Sequence, residues 1–185
     1  MTAAPVARSS QAYVLERLGR ILSEDRTADL RAALEVLTSA GKIFVYGVGR
    51  SGLVARGFAM RLVQLGLEVY FIGETITPIV EKGDAVLVVS NTGDTMSAVQ
   101  TANIARRVGA KVVSVTGNRT SKLAHASNVV IVVREDHDAE RTRLAPLGTL
   151  FEDASWILLD GLVAEAMEAL GETEASMRAR HAIMV

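Results

Sequence analysis

Five short runs of apolar, largely β-branched residues recur along the chain, and stretches with helical periodicity separate most of them. The runs cover residues 42–47, 68–72, 85–90, 111–116 and 129–133. They are continuous rather than alternating in polarity, as expected for strands that are covered by helices on both faces. The pattern therefore predicts an α/β fold, a three-layer sandwich around a five-stranded parallel sheet.

Helical stripes flank this core. Before the first strand, apolar residues repeat every three or four positions, first at Val14, Leu18 and Leu22 and then at Leu30, Leu34 and Leu37. We expect N-terminal helices within residues 9–40, a βα core over 42–133 and C-terminal helices within 149–180. No Pro/Gly-rich linker, internal repeat or low-complexity tract divides the 185 residues, so we expect a single domain.

The segment 156–167 is rich in apolar side chains. Leu158, Leu159, Leu162 and Val163 crowd together there, and one face of a helix does not hide so many. This surplus predicts self-association. The alternative is that these side chains pack on the chain's own sheet.

Composition narrows the class of function. Basic and acidic side chains nearly balance, 20 against 21, and the net charge of −1 argues against nucleic acid or an anionic membrane surface as partner. The absence of cysteine removes disulfides, thiolate catalysis and zinc sites with sulfur ligands. No apolar run approaches the roughly 18 residues that span a bilayer, and residues 1–11 lack the layout of a signal peptide. We expect a soluble cytoplasmic protein.

The turn after the first predicted strand reads Gly-Val-Gly-Arg-Ser-Gly over residues 47–52 and opens directly into a helix. Ligands of open parallel sheets bind at such carboxyl ends of strands. Glycines permit close backbone approach, the helix start provides free N–H groups, and a serine adds a hydroxyl donor. The turn favours an anion site formed by Gly49, Arg50 and Ser51, although Arg50 fits an oligomer contact equally well.

Two other interpretations of this turn stay open. It can be a tight strand-to-helix turn without a ligand. It also matches the dinucleotide fingerprint G-x-G-x-x-G, and Glu74, 22 residues past Gly52, stands where a ribose-binding acid is wanted. That interpretation predicts a nicotinamide-dependent oxidoreductase with a second, substrate-binding domain, for which 185 residues leave little room.

Hydroxyl groups are concentrated after the third predicted strand. The candidate ligand residues there are Ser90, Asn91, Thr92, Gly93 and Thr95. The terminal oxygens of a phosphomonoester accept several short hydrogen bonds, which hydroxyls and helix-start amides supply without bulk. The alternative is an ordinary helix cap by Asp94 or Thr95. The turn after the fourth predicted strand, residues 116–118, also contains a hydroxyl group and a glycine. Because adjacent strand ends converge on one crevice, we favour a phosphate site over a simple cap.

Six segments together identify a family. The segments 45–52 and 90–95 are accompanied, in order along the chain, by 58–62, 73–78, 146–152 and 177–182. This ordered set resembles the sugar isomerase (SIS) domain family of phosphosugar-binding proteins and, within it, the 6-phospho-3-hexuloisomerases. The resemblance implies a flavodoxin-like fold. It also implies interconversion of D-arabino-hex-3-ulose 6-phosphate and D-fructose 6-phosphate through a cis-enediol, with no metal and no cofactor.

The same resemblance implies partners. They are a small phosphosugar substrate, further copies of the chain in a homotetramer, and hexulose-phosphate synthase as the metabolic neighbour in the ribulose monophosphate pathway of formaldehyde fixation. Two alternatives stay beside this hypothesis: an isomerase for another ketose phosphate, and a non-enzymatic phosphosugar-sensing module. A sensor needs the anion site but neither an acid nor a base.

An isomerisation between adjacent carbons requires a base and an acid, and two residues are candidates. Glu152 lies in the first turn of a predicted helix, and Trp156 follows it on an apolar stripe; Thr149 and Glu152 also fit a capping box. His181 lies close to the C-terminus, where a histidine is ordinarily inert surface. The resemblance implies that Glu152 and His181 are catalytic. It leaves open which one is the base and whether His181 serves an adjacent subunit.

Other charged and titratable side chains carry no such signal. His137 lies in the charged run 134–138, which is typical of a solvated loop. Lys122, Arg141 and Arg143 are most simply interpreted as surface charge.

Overall fold

All five strands of the sheet run parallel, in the order β2-β1-β3-β4-β5. The computed structural model describes residues 5–183; residues 1–4, part of the N-terminal segment considered above, and 184–185 lie outside this range. The strands are β1 Ile43–Gly47, β2 Val69–Phe71, β3 Ala85–Val89, β4 Lys111–Thr116 and β5 Val129–Val132. Each lies within one predicted run, so the parallel α/β sheet is confirmed.

Helices cover both faces of this sheet. They are α1 Val6–Leu22, α2 Thr27–Thr38, α3 Gly49–Gln64, α4 Met96–Val108, α5 Lys122–His125, α6 Arg141–Leu144, α7 Thr149–Ala169 and α8 Glu174–Ala179. On one face lie α2 and α3, with α7 and α1 packed against them, and on the other face lie α4 and α5. The arrangement is the predicted three-layer sandwich.

The continuous apolar runs follow from burial on both sides of the strands. Val45 of β1 and Leu87 of β3 are partners in register and face the helices α3 and α7. Their neighbours Phe44 and Val86 are also partners and face α4. All four side chains are inaccessible to solvent, so both faces of these central strands bury apolar surface.

The prediction of self-association from residues 158–163 rested on the wrong side chains. Leu158, Leu159, Leu162 and Val163 are buried within the chain's own core, because α7 is covered by α1, α2 and α3 on several sides. The exposed large apolar side chains of α3 and α7 are instead Leu53, Met60, Val63, Trp156 and Ile157. None of the helices within residues 5–183 has the length and apolarity to cross a lipid bilayer.

Trp156 of α7 lies against α3 at Gly57. A Cβ atom added to Gly57 would lie 2.5 Å from the far edge of its indole ring. Glycine therefore lets the half-exposed ring rest on the backbone of α3, and a larger residue would force the ring to move.

Candidate active site

The topology places a crevice between β1 and β3. From β1 the chain crosses to β2 on one side, while β3 lies on the other side, and ligands of such sheets bind at this reversal of strand order. A cavity of about 120 Å³ lies there. Its walls are Val48, Ser51, Val89, Ser90, Asn91, Thr92, Thr95 and Ala98. The structure therefore brings together Ser51 and four of the five candidates after β3.

The glycines at the end of β1 and in the turn that follows have a packing role. A Cβ on Gly47 would lie 2.7 Å from the carbonyl oxygen of Ser51, and a Cβ on Gly52 would lie 2.6 Å from that of Gly47. The strand end and the first turn of α3 thus touch through backbone atoms. Gly49 has a φ of +60°, a conformation that favours glycine. The turn sets Ser51 at the cavity wall, whereas Gly49 and Arg50 are not part of that wall.

Two helices begin at the cavity. The residue preceding α3 is Val48, and the residue preceding α4 is Thr95. Within residues 5–183, no side chain caps either helix start by a hydrogen bond. The predicted alternative of an ordinary cap by Asp94 or Thr95 is therefore wrong. The first N–H groups of both helices stay available for ligand oxygens, and the positive ends of both helix dipoles point to the same place.

The loop after β3 is held by its backbone. Gly93 has a φ of +66°, and a Cβ there would lie 2.1 Å from the hydroxyl of Ser121. The carbonyl of Asn91 accepts hydrogen bonds from the Gly117 N–H at 2.9 Å and the Thr116 hydroxyl at 3.2 Å. Gly93 is thus required for the turn, which leaves hydroxyl groups along the cavity.

Glu152 lies next to this cavity. It is 9 % exposed, and its Oε1 accepts a hydrogen bond of 3.1 Å from the hydroxyl of Ser51, a cavity-wall residue. Its Oε2 accepts one of 3.1 Å from Nε of Arg50. The carboxylate folds back over Gly148, where a Cβ would lie 2.8 Å from both of its oxygens.

The capping box, the alternative role that spacing allowed for Thr149 and Glu152, is wrong. The residue preceding α7 is Gly148, and no side chain of the described residues caps the helix there. The Thr149 hydroxyl donates instead to the Pro146 carbonyl at 2.7 Å. Glu152 is drawn to Arg50 and Ser51 because charged and hydroxyl donors across the crevice outcompete a local backbone contact.

A second cavity adjoins Glu152 on the side of α3 and α7. Its volume is about 220 Å³, and it is lined by Arg50, Leu53, Val54, Glu152, Asp153 and Trp156. Arg50 also donates to Oδ1 of Asp153 at 2.9 Å. The carboxylate of Glu152 is thus accessible from a partly apolar hollow, with a guanidinium beside it.

His181 is remote from this site within one chain. It lines a different cavity, of about 590 Å³, together with Arg61 and Gln64 at the far end of α3. At a rise of about 1.5 Å per residue, Gln64 lies roughly 20 Å along the helix from Ser51. The structure therefore does not bring His181 and Glu152 together within a single protomer.

The tail that carries His181 is fastened to α3 by Arg180. Its guanidinium donates to the carbonyl of Gln64 at 3.0 Å and to both carboxylate oxygens of Glu172 at 2.8 and 2.9 Å. Hydrogen bonds from Arg180 and then from Ser176 lower the pKa of Glu172 to about 2.

Glu74, the candidate ribose-binding acid, is already engaged. Its Oε1 accepts a hydrogen bond of 2.9 Å from Arg56, whose guanidinium lies 3.6 Å above the ring of Phe71. This gives the dinucleotide interpretation no support. Within residues 5–183, no three histidine, aspartate or glutamate side chains are grouped as a metal site.

Comparison with known proteins identifies the family. The family model of the SIS domain matches residues 36–150, which is more than half of the chain. The chain belongs to the SIS domain family. The predicted resemblance is confirmed.

Several relatives of this SIS-domain protein cover most of its length. The 3-hexulose-6-phosphate isomerase of Methylomonas aminofaciens is 32% identical over 174 residues, 93% of this chain and 96% of the relative. That of Methanocaldococcus jannaschii is 34% identical over 152 residues, 82% of each chain. The crystal structure of a hypothetical protein from Methanococcus jannaschii, described as inferring a molecular function of 3-hexulose-6-phosphate isomerase, superposes with a TM-score of 0.82. It is 30% identical and covers 95% of this chain and 97% of that chain.

Sequence reasoning missed two residues of this SIS domain, Glu135 and Arg141. Arg141 was interpreted as surface charge, which is wrong: its side chain is 17 % exposed and pairs with Glu135, whose side chain is 6 % exposed. One signal was available. Ile131, Val133 and Glu135 are all buried, so the alternation of β5 continues beyond its end and turns Glu135 inward.

Proposed function

We propose that this SIS-domain protein is a cofactor-independent isomerase that interconverts D-arabino-hex-3-ulose 6-phosphate and D-fructose 6-phosphate. The observation that carries the proposal is the hydrogen bond between Ser51 and Glu152. It joins a hydroxyl-lined cavity at two helix starts to a carboxylate that can act as a base. The names of the relatives support this substrate class.

The cavity of about 120 Å³ fits the phosphate end of the substrate. Ser51, Ser90, Thr92 and Thr95 provide hydroxyls, and the starts of α3 and α4 provide N–H groups. A phosphate dianion uses all its terminal oxygens in such a setting. Binding energy gained at the phosphate then holds the reacting carbons against Glu152.

The reaction moves a carbonyl group by one carbon. The C2–H bond of the 3-ketose breaks, its proton passes to the Glu152 carboxylate, and the electron pair forms a C2=C3 enediol as O3 gains a proton. Return of a proton to C3 and loss of the O2 proton give the 2-ketose. No electron leaves the substrate, so an acid and a base suffice.

Ser51 links substrate binding to the base. Its hydroxyl has one proton, which it donates in a hydrogen bond to Oε1 of Glu152. A phosphate oxygen in the cavity competes for that proton, since a dianion is the stronger acceptor. Phosphate binding thereby frees Oε1 of Glu152, while Arg50 continues to hold Oε2 from the other side.

His181 enters the proposal as an acid supplied by a neighbouring subunit of a homotetramer. Within one chain it lines a cavity at the opposite end of α3. The exposed Leu53 of α3 and Trp156 of α7 line the Glu152 cavity and suit contact with another copy. A neighbour docked there can bring its tail, with its own His181, to the open side of Glu152.

One experiment tests the reaction. The purified protein is incubated with D-arabino-hex-3-ulose 6-phosphate in deuterated water without added cofactor. We expect fructose 6-phosphate that carries deuterium at C3, because the abstracted proton exchanges with solvent on the base. Binding of the phosphosugar without any product would contradict the proposal and would indicate a sensing module.

A second experiment tests the shared site. Glu152→Ala and His181→Ala are each expected to be inactive and to fold. Mixing them under conditions that exchange subunits should restore part of the activity, because some sites then combine an intact Glu152 with an intact His181. If mixing restores nothing although subunits exchange, each chain is self-contained and the intersubunit role of His181 is wrong.

A further inference from the structure

A buried ion pair lies behind the phosphate-binding loop. Arg141 donates from Nε to Oε2 of Glu135 and from Nη2 to Oε1, both at 3.2 Å. This is a two-point contact between a planar guanidinium and a carboxylate, and both side chains are largely buried. Such a pair fixes the direction of both groups as well as their separation.

One end of this pair holds the loop after β3. Oε1 of Glu135 accepts a further hydrogen bond of 2.9 Å from the side-chain amide of Asn91. The backbone on the opposite side of Asn91 leaves little room, because a Cβ on Gly117 would lie 2.6 Å from Oδ1 of Asn91. The amide group therefore faces Glu135, and the neighbouring Ser90 and Thr92 are held at the cavity wall.

The other end of the pair holds the segment that leads into α7. Nη2 of Arg141 also donates to the carbonyl of Leu147. Leu147 has a φ of +59°, and no other non-glycine residue within 5–183 has a positive φ. It is 85 % exposed. Packing of that side chain cannot hold the strained backbone. The contact with Arg141 fixes it directly before Gly148, over which the Glu152 carboxylate folds.

The position of Arg141 is itself secured from α1. Oδ1 of Asp138 accepts hydrogen bonds from the Arg141 N–H and from the Tyr13 hydroxyl, both at 2.9 Å. Arg17 of α1 pairs with the same carboxylate. The guanidinium thus projects from a turn that is held in place by α1. It can therefore fix the positions of Glu135 and of the Leu147 carbonyl.

We propose that Arg141, acting through Glu135, is a positioning residue that couples the phosphate-binding loop to the turn carrying Glu152. As far as it concerns catalysis, the inference rests on the proposed function. The coupling itself is a property of the fold: a ligand that tightens the loop at Asn91 also tightens the backbone at Leu147. Filling the phosphate cavity thereby sets the base in its working position.

The test uses three variants of the full-length protein. Arg141→Met removes both contacts while keeping most of the side-chain bulk. Arg141→Lys keeps a charge beside Glu135 but lacks the fork that also reaches Leu147. Arg143→Met is the matched control, because Arg143 lies in the same helix, is exposed and pairs only with Glu140 among the described residues.

Kinetics separate positioning from simple destabilisation. For Arg141→Lys we expect kcat to fall on the order of 10- to 100-fold with KM changed far less, since a base displaced by about 1 Å loses that much. Arg141→Met should lose kcat similarly and also raise KM, because the Asn91 loop is released. Arg143→Met should retain both constants. Wild-type kcat in Arg141→Lys and Arg141→Met would overturn the inference, as would an equal loss in Arg143→Met.

Hydrogen exchange gives a readout that needs no turnover, with inorganic phosphate as the probe. In the wild type, phosphate should slow amide exchange in residues 89–96 and also in 145–152. In Arg141→Met and Arg141→Lys, phosphate should slow exchange in residues 89–96 only. Because this measurement needs no turnover, it also applies to a variant that is too unstable for kinetics. Unchanged coupling in both variants would overturn the inference. If coupling is lost as expected but the wild type does not isomerise the hexulose phosphate, the coupling stands and the proposed function fails.

Discussion

The two ends of α3 are built differently. At the amino end, glycines bring the strand and helix into backbone contact, no side chain of the described residues caps the helix, and Ser51 bonds to Glu152. At the carboxyl end, Gly66 has a φ of +87° and donates to the Val63 carbonyl at 2.9 Å, while Arg180 donates to the carbonyl of Gln64. Backbone groups at a helix end require partners. At the carboxyl end the chain itself supplies these partners, so that end is structural. At the amino end it does not, so a ligand can supply them.

The largest expected effect tests the amino end. Glu152→Gln keeps the size of the side chain and one of its two acceptor oxygens but cannot take a proton. We expect kcat to fall about 1,000-fold, the usual contribution of a positioned base, with little change in melting temperature. Asp160→Asn, an exposed change two turns further along α7, is the control and should keep kcat. Substantial activity in Glu152→Gln would remove this residue as the base.

A smaller effect is expected from Gly148→Ala. The new Cβ would press on both oxygens of the Glu152 carboxylate at 2.8 Å, so we expect kcat to fall about tenfold for a displaced base. The carboxylate can swing aside, and therefore the free energy of unfolding should change little. The control is Gly161→Ala within α7, the helix that Gly148 precedes, where a Cβ meets nothing within 4 Å. It should leave kcat unchanged and stabilise the protein by about 0.5–1 kcal/mol.

The fold could be predicted from the sequence more fully than the hydrogen bonds between side chains around the site. Strand positions such as Val45 and Leu87 are visible because burial on both faces leaves an unbroken apolar run. The wall residues Ser51 and Ser90 are visible because strand ends converge. The pairing of Glu135 with Arg141 is not visible, since it depends on how the chain turns after β5 and on a side chain reaching back across the loop. The false capping box has the same origin, because local spacing at Thr149 and Glu152 cannot show a competing donor on another helix.

The smallest expected effect is a pH dependence, and it tests how the C-terminal tail is held at the carboxyl end of α3. Because Arg180 and Ser176 lower the pKa of Glu172 from an ordinary 4.5 to about 2, the carboxylate favours the docked tail. This contribution is complete above about pH 4.5 and is lost as the pH falls toward 2. Amide exchange in residues 172–180, corrected for intrinsic rates, should therefore rise over this interval in the wild type. In Glu172→Gln, exchange should be faster already at neutral pH and show less dependence on acid. An equal acid response in both proteins would show that another group anchors the tail.

Trp156 is the only tryptophan in the sequence, and it lies half exposed between Gly57 and the hollow that Arg50 and Glu152 also line. The molecule thus carries a single indole fluorophore at the edge of its candidate active site. Excitation at wavelengths that tryptophan absorbs and the three tyrosines do not reports from that one place. Ligand entry, burial by a neighbouring copy and displacement of α7 can then each be followed by emission without attaching a dye.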